Sequence, residues 1–262
     1  MGIPLYQVDS FASRPFAGNP AAVCLLDEPA EASWMQSVAA EMNLAETAFV
    51  VPADGSYSLR WFTPAVEVDL CGHATLASAH ILWETDHLSA DRPALFDTRS
   101  GRLTCRRVGS HIEMDFPADP PSPCDPPDGL ADTLGVEPIA YLRGRYDSLV
   151  EIESEDALRA LRPDFRRLID VPVRGVIVTT RGESDYDFVS RFFAPGAGID
   201  EDPVTGSAHC CLAPYWADKI DKPDLHAFQA SKRGGEVQVR LNNDRVILGG
   251  QAITVLQGEL TR

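Results

Sequence analysis

The sequence predicts an α+β protein built from two similar domains, and three observations carry that reading. Strand-like stretches alternate with helical ones along all 262 residues. A segment dense in proline and aspartate interrupts the chain near its middle. The order of elements before that interruption is then repeated after it, together with a short stretch of matching residues.

Taken in order, IPLYQVDSF and AAVCLLDE read as strands, with the turn residues of PFAGNP between them, and EASWMQSVAAEMN has the period of a helix. ETAFVV and YSLRWFTPAVEVDL are again extended. GHATLASAHILWE is apolar or small at almost every position, the signature of a helix buried on all sides. ALFDTRSGRLTCRRVGSHIEMDF reads as a meander of short strands broken by Ser-Gly and Gly-Ser turns. From Pro117 to Gly129, PADPPSPCDPPDG supports neither helix nor sheet interior, and places the boundary between domains 1–118 and 130–262, with 119–129 as linker. The last strand is free to return to the first domain.

In the second half, LADTLGV and EDALRALRPDFRRLID read as helices and GVIVTT and YDFVSRFFAP as strands. GSAHCCLAPYWADKI reads as a helix that Pro214 should kink or interrupt, and hairpins follow. An ungapped match sets RWFTPAVEVDLC, from Arg60, over RFFAPGAGIDED, from Arg191, and so puts Cys71 on Asp202. A three-residue insertion then restores Gly72-His73-Ala74 to Gly206-Ser207-Ala208. Each of these glycines opens a small-residue helix, whose first N–H groups lack intrahelical partners and carry the positive dipole end, so each helix start can receive an anion.

Composition narrows the function. At 44% hydrophobic and 24% charged residues the chain is an ordinary globular protein. A net charge of −16 argues against nucleic acid and anionic membranes as partners. No apolar run reaches the roughly 18 residues of a membrane span, and the first residues lack a signal pattern, so a cytoplasmic protein is expected. The six cysteines have no CxxC spacing and most are expected to be free thiols. His209-Cys210-Cys211 fits none of the usual zinc patterns. His80, His87, His111 and His226 are taken as structural, and Asp200 and Glu201 as flanking surface acids.

FAGNPAAV, NLAETAFV, RWFTPAVEVDLCGHATLASA and FFAPGAGIDEDPVTGSAH, in this order and over most of the chain, closely resemble the phenazine-biosynthesis PhzF-like family. That family shares its fold with diaminopimelate epimerase and proline racemase. The resemblance implies two α/β domains, each a curled, mostly antiparallel sheet around a central helix, with an active site in the cleft between them, usually in a homodimer. No cofactor or metal is implied. The activity implied is an isomerase that moves a carbon-bound proton on a small carboxylate-bearing metabolite. By the same resemblance Glu46 is the general acid/base, His73 and Asp202 hold or help to protonate the substrate, and Gly72, Gly206 and Ser207 grip its carboxylate. Cys71 matches the first of two catalytic cysteines in diaminopimelate epimerase, and Asp202 replaces the second. A racemase or epimerase using Cys71 and Asp202 is therefore a rival, provided the helix dipole lowers the thiol pKa. A metabolite-binding protein of the same fold without catalysis is the other.

Overall fold

The computed structural model describes residues 2–183 and 185–261. The chain divides into two compact units, the first made of the residues up to Asp115 and those from Gly249 onward, the second running from Phe116 to Leu248.

The first unit contains β1 (Ile3–Ser10), β2 (Asn19–Leu25), α1 (Ala32–Met42), β3 (Glu46–Ala53), β4 (Ser56–Phe62), β5 (Glu67–Val68), α2 (Gly72–Glu84), β6 (Ala94–Thr98), β7 (Gly101–Val108) and β8 (His111–Pro117) as far as Asp115. The second contains β9 (Ser122–Pro123), α3 (Leu130–Leu134), β10 (Ala140–Arg143), β11 (Ser148–Glu151), α4 (Glu155–Ala160), α5 (Phe165–Leu168), β12 (Val176–Arg181), β13 (Phe188–Phe193), α6 (Gly206–Ile220), β14 (Asp224–Gln229), β15 (Gly235–Asn242) and β16 (Arg245–Gly250) as far as Leu248. The C-terminal strand β17 (Ala252–Leu260) pairs antiparallel with β1 and so belongs to the first unit.

The two units are wired alike. In the first, β2 runs parallel to β3, β3 antiparallel to β4, β4 parallel to β6 and β6 antiparallel to β7. In the second, the same sequence of pairings joins β11, β12, β13, β14 and β15. Each unit is thus a curled, mostly antiparallel mixed sheet with one long helix against it. Residues 73–79 and 81–83 of α2 are buried, so this helix has no polar face and packs against β1, β2, β3 and β17. In α6, His209 to Ala213 are all buried, and the helix packs against β14 and β15.

Four local expectations are corrected. The proline-rich segment is not a free linker: Ser122 and Pro123 pair with Arg143 and Leu142, the Asp119 N–H donates to the Cys210 carbonyl at 3.0 Å, and Asp119 Oδ1 accepts from the Arg145 N–H at 3.0 Å. A two-residue edge strand tolerates prolines because it needs few ladder donors. The expected helix over 155–170 is two short ones. Pro163 disfavours helical backbone at Arg162, and Asp164 restarts the helix by accepting from the N–H groups of Arg166 and Arg167. Strands β10 and β11, among short polar residues, were not anticipated. Finally, α6 runs through Pro214 without interruption.

Candidate active site

Three side chains from separate segments meet in the first unit. Asn43, in the left-handed conformation with φ 51°, ends α1 and turns the chain into β3, whose first residue is Glu46. Cys71 stands in extended backbone just before α2, and His73 is the second residue of that helix. His73 Nε2 lies 3.1 Å from Glu46 Oε2, with side-chain exposures of 7% and 14% that put both largely out of water. The contact is at ion-pair distance, while its angle falls short of a regular hydrogen bond, since Glu46 Oε2 has no hydrogen-bond partner of that kind. The Cys71 thiol is 3.6 Å from His73 Nδ1.

Two residues that no motif argument singled out hold His73 in place. Ser10 Oγ donates to the His73 carbonyl at 2.8 Å, and the Asn19 side-chain nitrogen is 3.2 Å from His73 Nδ1. The roles at the second contact follow protonation: the amide nitrogen donates to a bare Nδ1, and the turned amide presents its oxygen to a protonated one. Asn19 sits inside the GNP stretch, which was the only sequence signal for it.

Electrostatics in this pocket run against a reactive thiol. Burial pushes the Cys71 thiol above its ordinary value, and the nearby Glu46 carboxylate pushes it further. The racemase reading requires a lowered thiol pKa, and this pocket acts in the opposite direction. For His73, burial alone would disfavour the imidazolium, but the negative charge of its neighbours outweighs it and holds the group well above its ordinary value. Those neighbours are the Cys71 thiol group and the Glu46 carboxylate. Glu46 and His73 thus face each other at ion-pair distance in a nearly dry site.

The second unit places the other predicted residues. Asp202 lies ahead of α6. Its N–H donates to the Phe192 carbonyl at 3.0 Å, its Oδ2 accepts from Thr205 Oγ1 at 2.5 Å, and its carbonyl accepts from Gln229 Nε2 at 2.8 Å. Gly206 is the first residue of α6 and Thr205 precedes it without a side-chain cap. Ser207 does not cap the helix either, and its Oγ accepts from Arg174 Nη2 at 2.9 Å. Arg174 in turn grips the buried Asp147, with Nε to Oδ1 at 2.9 Å and a second, shorter contact from Nη2 to Oδ2. Burial works against the Arg174 charge, but Asp147 and the charge of Asp202 raise its pKa further. Arg174 and Asp147 went unnoticed because VPVRGV and RYDS look like ordinary surface turns.

Comparing the two units corrects the internal alignment. Arg60 clasps Glu67 through Nε at 2.7 Å and Nη2 at 2.8 Å, and Arg191 clasps Glu201 through the same atoms at 2.7 and 2.9 Å. Glu201 is thus no flanking surface acid, and the three-residue insertion falls before it. Cys71 then corresponds to Thr205, each being the residue just before its helix, and not to Asp202. His73 corresponds to Ser207. Since Thr47 pairs with Phe62 as Val176 pairs with Phe193, Glu46 corresponds to Gly175, where a Cβ would meet the Phe192 ring at 2.3 Å. The duplicated architecture therefore carries a glutamate–histidine pair in one copy and an arginine–aspartate–serine set in the other.

His209, Cys210 and Cys211 are buried in α6, where His209 Nδ1 meets the Thr205 carbonyl at 2.8 Å. All six cysteines are free thiols, and Cys124 alone among them is exposed. Among the described residues no helix is long and apolar enough to cross a membrane.

Comparison with known proteins agrees with this architecture. The family model described as phenazine biosynthesis-like protein (PhzC-PhzF) matches residues 8–258. An uncharacterized isomerase of Halalkalibacterium halodurans is 55% identical over 262 residues, 99% of each chain. The crystal structure of a PhzF-family phenazine biosynthesis protein from Enterococcus faecalis is 40% identical and superposes with a TM-score of 0.97 over all of both chains. A "predicted epimerase" of Pseudomonas aeruginosa, 22% identical and covering 99% of each chain, shares the fold with a TM-score of 0.75. The chain belongs to the phenazine biosynthesis-like, PhzC-PhzF family.

Proposed function

We propose that the protein is a cofactor-independent isomerase that takes a proton from one carbon of a small carboxylate-bearing metabolite and returns it to another. Glu46 is the general acid/base and His73 its partner. The observation that carries this reading is the Glu46–His73 pair, 3.1 Å apart and largely screened from water. In so dry a site a proton taken from carbon by the carboxylate is kept from water, and the histidine beside it orients the carboxyl group until the proton is returned. The name carried by the Halalkalibacterium relative, an isomerase, supports the reaction class.

The family resemblance gives Asp202 a role in holding or protonating the substrate, and Gly72, Gly206 and Ser207 a role in binding its carboxylate. We extend the proposal to them. Uncapped starts of α2 and α6 support it, since amides with no side-chain cap remain available to an anion. A cytoplasmic homodimer is part of the same proposal.

The racemase reading, with Cys71 and Asp202 as the two bases, draws on the thiol's place beside His73. Two findings favour Glu46 instead: the Cys71 thiol is pushed up rather than down, and its counterpart in the second unit is Thr205. Solvent-deuterium incorporation into candidate dihydroaromatic acids and amino acids tests both readings. Incorporation that survives Cys71→Ser and is lost in Glu46→Gln supports the isomerase, and the reverse supports the racemase. Saturable binding with no exchange in the unaltered protein supports a binding protein.

A further inference from the structure

Glu46, Cys71 and His73 present a carboxylate oxygen, a thiol sulfur and an imidazole nitrogen that all lie within 4.8 Å of one another. His73 Nε2 is 3.1 Å from Glu46 Oε2 and 4.0 Å from Cys71 Sγ. In a tetrahedral zinc site, bonds of about 2.0 to 2.3 Å put neighbouring donors about 3.3 to 3.6 Å apart. The two separations bracket that range and the third, from the Cys71 sulfur to the carboxylate, is within 4.8 Å, so side-chain adjustments of up to about an ångström bring the three donors to one ion. Asn19 already meets the other ring nitrogen of His73, and Ser10 holds its backbone carbonyl. The donor set selects the ion: a sulfur and a nitrogen exclude magnesium and calcium, which take oxygen ligands, and suit zinc-class ions.

We infer that these three residues form an inhibitory site for a thiophilic divalent cation, zinc or cobalt, with water as the fourth ligand. Binding replaces the Cys71 S–H bond, and the imidazole proton where present, with bonds to the metal. The protons leave to solvent, and nothing is oxidised or reduced. The ion occupies the same Glu46 and His73 atoms that serve the proposed proton transfer, so a loaded protein cannot turn over. Only that consequence rests on the isomerase reading, since binding itself is measured without substrate.

The test uses the full chain, stripped with chelator and titrated with cobalt chloride under absorption spectroscopy and with zinc chloride in a calorimeter. One equivalent of cobalt should give a thiolate-to-cobalt charge-transfer band and the intense visible bands of a tetrahedral ion. Cys71→Ser should abolish the charge-transfer band, and Cys71→Ser, His73→Asn and Glu46→Gln should each weaken zinc by at least about tenfold. Cys124→Ser, which removes the exposed thiol, should change neither. The inference is overturned by a wild-type spectrum with no thiolate band, by a band that persists in Cys71→Ser and vanishes in Cys124→Ser, or by unchanged zinc affinity in folded His73→Asn and Glu46→Gln. Circular dichroism establishes the fold of each variant. Metal bound with these signatures and no deuterium exchange in the metal-free protein leaves the site standing and removes the isomerase reading.

Discussion

His73 turns its Nε2 towards Glu46 Oε2 at 3.1 Å, while Asn19 stands 3.2 Å from the other ring nitrogen. The ring is thereby held between a charge on one side and an amide on the other, in a place where an isolated imidazolium would be unstable. Its protonation depends on the carboxylate, and that dependence can be measured.

In the unaltered protein the His73 ring should titrate well above its ordinary value, because Cys71 and Glu46 together outweigh burial. In Glu46→Gln the carboxylate's share is lost while burial and Cys71 remain, so the titration should move down. Nitrogen-15 spectra of the imidazole across the pH range read this directly. The accompanying stability has a defined sign: a folded-state pKa above the unfolded one stabilises at pH below the unfolded value, and the gain is lost as pH rises through the folded value. A titration that does not move on removing the carboxylate contradicts the pairing.

A second pH effect has the opposite sign and a different origin. Burial pulls His209 down to about 4, and its Nε2 has no hydrogen-bond partner. Between that value and the unfolded one near 6.5, the unfolded chain holds the extra proton, so stability is present above this window and lost as pH falls through it. The loss amounts to about 3 kcal/mol at the acid end. His209→Asn, which can keep the contact to the Thr205 carbonyl, should flatten the pH dependence of denaturant unfolding between about 4 and 6.5. An unchanged slope means that other groups carry the acid sensitivity.

The two arginine clasps should differ in strength. Arg191 is 9% exposed in its side chain and also donates Nη1 to the carbonyls of Leu158 and Leu161, whereas Arg60 is 29% exposed. Glu201→Gln leaves a buried guanidinium without its counter-charge and should cost about 3 kcal/mol. Glu67→Gln should cost less, because water reaches Arg60. Chemical denaturation of both variants measures the difference, and equal losses would refute the burial argument.

Much of this architecture was legible in the chain. The period of residues 72–84 has no polar face, so α2 had to be central, and the RxF repeat at Arg60 and Arg191 marked equivalent strands. What stayed hidden depends on contacts between distant residues. Glu46 and His73 are 27 positions apart, and only the resemblance joined them. Arg174, Asp147 and Ser207 come from three elements with no shared motif, and the partner of Arg191 emerged only when its guanidinium was seen on Glu201. The ungapped match paired Cys71 with Asp202 because identity at Asp69 and Asp200 looked stronger than it is. Helix geometry places the insertion earlier.

The measurement that bears most directly on the account is deuterium incorporation by Glu46→Gln. With a substrate that the unaltered protein labels from heavy water, loss of the carboxylate should lower the exchange rate by about a hundredfold or more, while Cys71→Ser keeps most of it. Exchange that continues at the unaltered rate in Glu46→Gln would contradict the assignment of this residue as the base.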